Sequence, residues 1–326
     1  MLAGLLALRV HFGYGTDNTH HPFTAGSLSG LQRLTRLGLV GMPSNKPDAL
    51  QPLSVLTGLL DLRLHISDSN WRRWDDGYPS VASMSGLQRL TRLEMSSMPC
   101  IEPGALAGKT LLQHLRLTDC CEEQSQEQDA HLLSQLQHLQ QLTELVMSTR
   151  RYHIQETPPA AAFAALTASS KLHHLSLSRC YLASYAWRYA LPPGKQLPQL
   201  TSLTLEYLKN PSGGPAVAPA GKLLVSCCPG LQHLELRELR KSATRAVLQP
   251  LSGLSGLQTL ILSPAGGSQG EGWLELCKLT GLRKLYVENH LRLPRGLVLQ
   301  LTQLQQLTSL YCRGHGKEVE IKNEVG

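Results

Sequence analysis

The side chains of this 326-residue chain best suited to metal binding or nucleophilic chemistry are thirteen histidines and eight cysteines. A protein-held zinc ion needs ligands at close spacing, such as Cys-x-x-Cys, converging on one point. Cys100, Cys120, Cys121, Cys180, Cys227, Cys228, Cys277 and Cys312 contain no such pair. His20–His21 and His173–His174 are the only neighbouring histidines, and Asp17 beside the first pair reads as part of a solvated loop. His-Glu-x-x-His and phosphate-cradling glycine loops are both missing. No catalytic residue, cofactor or metal is therefore expected, and the chain reads as a non-enzyme. Met1–Val10 lacks the basic flank and long apolar core of a secretory leader, so the cysteines read as reduced thiols in a cytoplasmic protein.

The remaining chemistry is recognition. Trp71-Arg72-Arg73-Trp74 and the stretch Tyr181–Tyr189, with Tyr185, Trp187 and Arg188 inside it, combine large aromatic rings with guanidinium groups. Such residues on long loops suit partner contacts. They are equally suited to folding back over the edge of a core, and Trp187 is the stronger candidate for that. The net charge of +7 is concentrated in residues 164–326, with 18 Lys/Arg against 9 Asp/Glu. Basic residues cluster at Arg237, Arg240, Lys241 and Arg245, but no aromatic residues are interleaved with them, so nucleic acid is not an expected partner. No apolar run approaches the roughly 20 residues of a membrane span.

What must position these residues is a repeat. Ser-Gly-Leu-Gln-Arg-Leu-Thr-Arg-Leu occurs at Ser29–Leu37 and again at Ser85–Leu93. The underlying register is Leu-x-x-Leu-x-x-Leu-x-Leu, and variants of it run along the whole chain. The first leucine of each Leu-x-Leu step falls at Leu8, Leu37, Leu62, Leu93, Leu115, Leu145, Leu175, Leu203, Leu234, Leu260, Leu285 and Leu310, at intervals of 22 to 31 residues. Residues two apart share a face of a strand, while the earlier leucines, three apart, suit a helical or irregular turn. One unit cannot bury its leucines alone. Units stacked about 4.8 Å apart can. A composition of 42% hydrophobic and only 5% aromatic residues agrees with such a leucine core.

With this register the chain resembles leucine-rich-repeat proteins over essentially its whole length. Its irregular, cysteine-containing repeats, rich in Gln, His and Ala, are similar to those of plant and green-algal members. The resemblance implies an α/β solenoid, or horseshoe, of about twelve repeats. Its parallel sheet would line the concave face, and helical or irregular segments the convex one. One solenoid over residues 1–313 and a charged tail over 314–326 are expected. The family usually places Asn or Cys three residues after the second strand leucine; Cys120 and Cys180 conform, Met42, Met98, Leu208, Leu239 and Ala265 do not. A looser edge is expected there. The resemblance further implies a protein-interaction scaffold, cytosolic or axonemal. Cys227–Leu236, CCPGLQHLEL, is similar to repeats of F-box proteins, so the substrate-reading part of a ubiquitin ligase, without its F-box, is the alternative.

The strand register also sorts the outward residues into columns. The one between the strand leucines reads Arg9, Gly38, Arg63, Glu94, Arg116, Val146, Ser176, Thr204, Glu235, Ile261, Tyr286, Tyr311. Preceding positions include Arg36, Asp61, Arg92, His114, Glu144 and His174. Arg36–Asp61–Arg92 and Arg63–Glu94–Arg116 alternate in sign, so lateral self-neutralisation is favoured over a dedicated surface for an acidic ligand. Tyr286 and Tyr311, with Lys284, Glu288 and Arg313 around them, have the composition of a partner-binding centre; the competing expectation is that the tail covers them. Trp71 and Trp74 complete the candidate partner-binding set.

Overall fold

Alternation of apolar and polar residues makes each Leu-x-Leu step a strand with one dry face, and that is what the computed structural model shows. It describes residues 5–12, 30–42, 50–66, 84–98, 101, 104–120, 132–149, 160–180, 186–206, 220–240, 247–265, 273–287, 300–301, 304–314 and 317–322. They fall in two compact units, Met1–His153 and Ile154–Gly326.

The first unit holds six parallel strands in sequential order: β1 (Ala7–His11), β2 (Arg36–Met42), β3 (Asp61–Ile66), β4 (Arg92–Ser96), β5 (His114–Cys120) and β6 (Glu144–Thr149). Their register pairs Leu8 with Leu37, Leu37 with Leu62, Leu62 with Leu93, Leu93 with Leu115 and Leu115 with Leu145. The second unit repeats the arrangement with β7 (His174–Ser178), β8 (Ser202–Glu206), β9 (His233–Arg240), β10 (Thr259–Ala265), β11 (Lys284–Val287) and β12 (Ser309–Gly314). There Leu175, Leu203, Leu234, Leu260, Leu285 and Leu310 stand in one row. Every leucine of the two rows is buried except Leu8, which is half-buried in the first strand. Both units thus have the leucine-rich-repeat solenoid architecture.

Parallel sheets usually bury both faces and read as continuous apolar runs. Here one face is open, and the strands show it as alternating burial, as in β3 and β4. Between strands the chain runs through short 3-10 turns, Gln51–Val55, Ala160–Thr167 and Trp273–Lys278, and short helices, Trp187–Ala190 and Ala220–Cys227. The close stacking also explains a recurring glycine. A Cβ on Gly230 would sit 2.5 Å from the Pro198 carbonyl oxygen, and one on Gly281 would sit 2.5 Å from that of Ser255.

Residues 317–322 add a feature the repeat pattern does not contain. They form β13 (Lys317–Lys322), which pairs antiparallel with β12 and sets Glu320 opposite Tyr311 and Glu318 opposite Arg313. The segment expected as a tail supplies a strand beside the last repeat, and its Lys-Glu-Val-Glu-Ile-Lys sequence is the charged kind that discourages further pairing at a sheet edge.

Side chains tie successive repeats together. A threonine two residues before the strand leucine donates its hydroxyl to the equivalent carbonyl one repeat earlier. The pairs are Thr35 to Leu6 (2.9 Å), Thr91 to Leu60 (3.1 Å), Thr143 to Gln113 (3.0 Å), Thr201 to His173 (3.3 Å) and Thr308 to Arg283 (3.0 Å). The same carbonyls also accept two backbone N–H groups, as Leu60 does from Thr91 and Arg92. At the position where the family pattern has Asn or Cys, Cys120 Sγ reaches the Met95 carbonyl at 3.4 Å, while Met98 is simply buried. Lys109, fully buried, donates from Nζ to the Met84 carbonyl at 3.0 Å, and burial lowers its pKa below the usual value.

Thr91→Val removes one hydroxyl at nearly constant shape, and the Leu60 carbonyl keeps its two N–H donors. The variant is expected to lose about 0.5–1.5 kcal/mol in denaturant unfolding. Thr110→Val, at an exposed threonine, should leave the midpoint where it was.

Candidate functional site

The open face of the second unit ends in an apolar strip. Ile261, Tyr286 and Tyr311 are register partners on β10, β11 and β12. All three are half-buried, and the two rings lie with centroids 6.0 Å apart at 42°. That tilted geometry is the favourable one for paired aromatic rings. Lys284, exposed, precedes Tyr286 by two on β11, and Arg313 follows Tyr311 by two on β12. Ile261 extends the strip one strand further than the tyrosines alone; its place next to Tyr286 in the column was the available signal. Residues 317–322 run beside β12 as a strand. Glu288, Trp71 and Trp74 lie outside the described residues.

Elsewhere the face is polar and internally paired. In the first unit Arg63 donates to both carboxylate oxygens of Asp61, at 3.2 and 3.1 Å, and lies 3.8 Å from Glu94. The hydrogen bond to Asp61 raises the Arg63 pKa further, against a smaller opposing effect of burial. Arg92 donates to Glu94 at 3.3 Å. Glu144 accepts from Arg116 at 3.0 Å and lies 3.1 Å from His114 Nδ1. Burial would raise the Glu144 carboxyl, but the bonds from Arg116 and His114 outweigh it and hold it below its ordinary range.

The ladder therefore exists, and its Arg63–Glu94 rung is the expected one, but Asp61 and Arg116 pair differently. Asp61 was read as the partner of Arg36 and Arg92; instead Arg63, two residues along its own strand, takes both of its oxygens. Planar guanidinium and carboxylate groups match bidentately, and an in-strand neighbour reaches that geometry readily. Arg9 and Arg36 are left with no ion-pair partner among the described residues.

In the second unit Glu235 is held down to about 2 by His233, Arg237 and Thr204. His233 Nε2 is 4.0 Å away, long for a hydrogen bond, so Arg237, which contacts Oε1 directly, is the stronger partner. His174 Nδ1 bonds Ser202 at 2.9 Å. The histidines His114, His174 and His233 thus each face a partner in the sheet. Among the described residues no three His, Cys, Asp or Glu side chains gather as a metal-ligand set.

The cysteines in the described residues are free thiols. Burial pushes Cys228 up to about 12 and Cys312 up to about 11. That direction is the reverse of what thiolate chemistry needs.

Trp187, offered by the sequence both as a loop contact and as a core lid, is 1% exposed. Its helix, Trp187–Ala190, packs against the 3-10 turn Ala160–Thr167. No helix among the described residues is long and apolar enough to cross a membrane.

No family model matches the chain, and no curated protein matches it. Among solved structures, an internalin from Listeria monocytogenes resembles it at 16% identity over 89% of this chain and 83% of that one, with a TM-score of 0.44. A likeness that distant carries nothing about function. The leucine-rich-repeat solenoid fold of each unit rests on the leucine register and on the six parallel strands that realise it among the described residues.

Proposed function

We propose that this protein is a non-enzymatic interaction scaffold that binds another protein on the open face of its repeat sheet. The observation that carries the reading is the Ile261–Tyr286–Tyr311 strip. Rigid, amphipathic rings side by side lose little conformational entropy on binding, and a neighbouring lysine and arginine supply a polar rim. Lys284, Arg313 and Glu288 form that rim in this reading, and Trp71 and Trp74 provide a second set of aromatic contacts. Arg63, already committed to Asp61 and Glu94, contributes little, because a ligand would have to break those pairs.

Affinity capture with the full chain, followed by titration of the captured partner, tests the proposal. Tyr286→Ala combined with Tyr311→Ala should weaken the partner at least about tenfold, or about 1.4 kcal/mol, without unfolding the array. Arg63→Ala should change affinity much less. Normal binding by the tyrosine variant, with loss on Arg63→Ala, would place the contact on the other unit.

A further inference from the structure

The first unit has a second feature that no pairing explains. Arg63, Arg92 and Arg116 all meet carboxylates, yet the exposed Arg9 and Arg36 meet none among the described residues. The register shows why. Arg9 stands opposite Gly38, which has no side chain, and Arg36 stands opposite Asp61, whose two oxygens are taken by Arg63.

Gly38 shapes the space between them. A Cβ at Gly38 would lie 3.4 Å from Arg9 Cγ, so the aliphatic stem of Arg9 leans over the bare backbone. The result is a depression of about 690 Å³ on the open face of β1–β4, with both unpaired arginines in its lining. Arg9 and Arg36 are one strand and two residues apart, which puts their Cα atoms roughly 8 Å from one another. In an extended peptide, residues two apart share a face and are separated by roughly 6.6–6.8 Å. Each guanidinium can therefore take one carboxylate from an acidic residue, an x, and a second acidic residue.

We propose that this depression binds an extended acidic peptide segment of a protein partner, with carboxylates two residues apart seated on Arg36 and Arg9. Asp61 and Glu94 also line the depression. With two cations uncommitted among the described residues, the site suits discrete carboxylates over a continuous polyphosphate. Among the described residues the lining holds no Phe, Tyr or Trp on which a base could stack, its one aromatic group being the imidazole of His65. The site lies in the other unit from the tyrosine strip and does not depend on it.

A fluorescein-labelled peptide of alternating Glu and Ser, titrated with the full chain at low ionic strength, reads the site by anisotropy. Arg9→Ala with Arg36→Ala should weaken binding at least about tenfold. Gly38→Glu, which fills the depression with a carboxylate of the chain's own, should do the same. Arg188→Ala with Lys222→Ala removes two exposed charges of the second unit and should leave affinity within about twofold. Both arginines are exposed, so their removal should not shift the unfolding midpoint, and this pair decides the matter if Gly38→Glu unfolds the sheet. Equal weakening by the two double variants would reduce the effect to net charge and overturn the proposal. So would failure of the wild-type chain to bind, or an oligouridylate that displaces the peptide and is itself lost with Arg9 and Arg36.

Discussion

Trp187→Ala is expected to lower stability by about 3–5 kcal/mol, the usual range for removing a buried indole. The side chain is 1% exposed although it sits in a long, polar-flanked insertion between strands. Its neighbours explain why the cavity would not collapse easily. The helix Trp187–Ala190 packs against Ala160–Thr167. The Thr167 hydroxyl donates to the Ala190 carbonyl, and Lys195 donates to the Thr167 carbonyl. Cys227 Sγ closes on the Leu191 carbonyl at 3.7 Å. These links hold the walls in place when the ring is removed. Denaturant unfolding followed by circular dichroism gives the loss, and Tyr189→Ala, two residues on and 43% exposed, is the comparison. Equal midpoints for the two variants would show that the helix does not seal the core.

Leu145→Ala, in the row of strand leucines, should cost about 2–5 kcal/mol from lost burial and the cavity it leaves. Leu145 is 1% exposed and registers with Leu115 on β5. Because a repeat array transmits stability between neighbours, a cavity in one rung weakens the stacking of adjacent units as well. Gln32→Ala, at an exposed position of a turn, should stay within about 0.5 kcal/mol. Unfolding midpoints separate the two; a match between them would contradict the leucine register.

These two residues also mark how far the sequence alone could be read. Leu145, and with it the row from Leu37 to Leu310, was placed from spacing alone. A period-two pattern repeated at 22 to 31 residues has only one stacking that buries all of it. The same arithmetic put Tyr286 beside Tyr311 and Arg63 beside Glu94, since register follows once the leucines are aligned. The threonine ladder was legible too, in the Leu-Thr-x-Leu that recurs at Leu34–Leu37, Leu90–Leu93, Leu142–Leu145, Leu200–Leu203 and Leu307–Leu310. Its role was not, because a threonine in a polar turn looks the same whether or not a carbonyl lies within reach.

Position in a column does not choose a hydrogen-bond partner. Arg36 and Arg63 were both near Asp61, and only side-chain geometry gave the carboxylate to Arg63 and left Arg36 with no ion pair among the described residues. Nor could composition tell a contact loop from a lid at Trp187, since an indole suits either and only the packed neighbours decide. The β13 strand is not legible in the sequence for a related reason. Lys-Glu-Val-Glu-Ile-Lys is short and charged, and it becomes a strand only because the open edge of β12 offers it backbone partners. Periodic burial is a property of the chain itself, so the sequence determined the repeat, the register and the outward columns. Partner choice among polar groups depends on angstrom-scale proximity between segments far apart in the chain, and only the tertiary structure decided it.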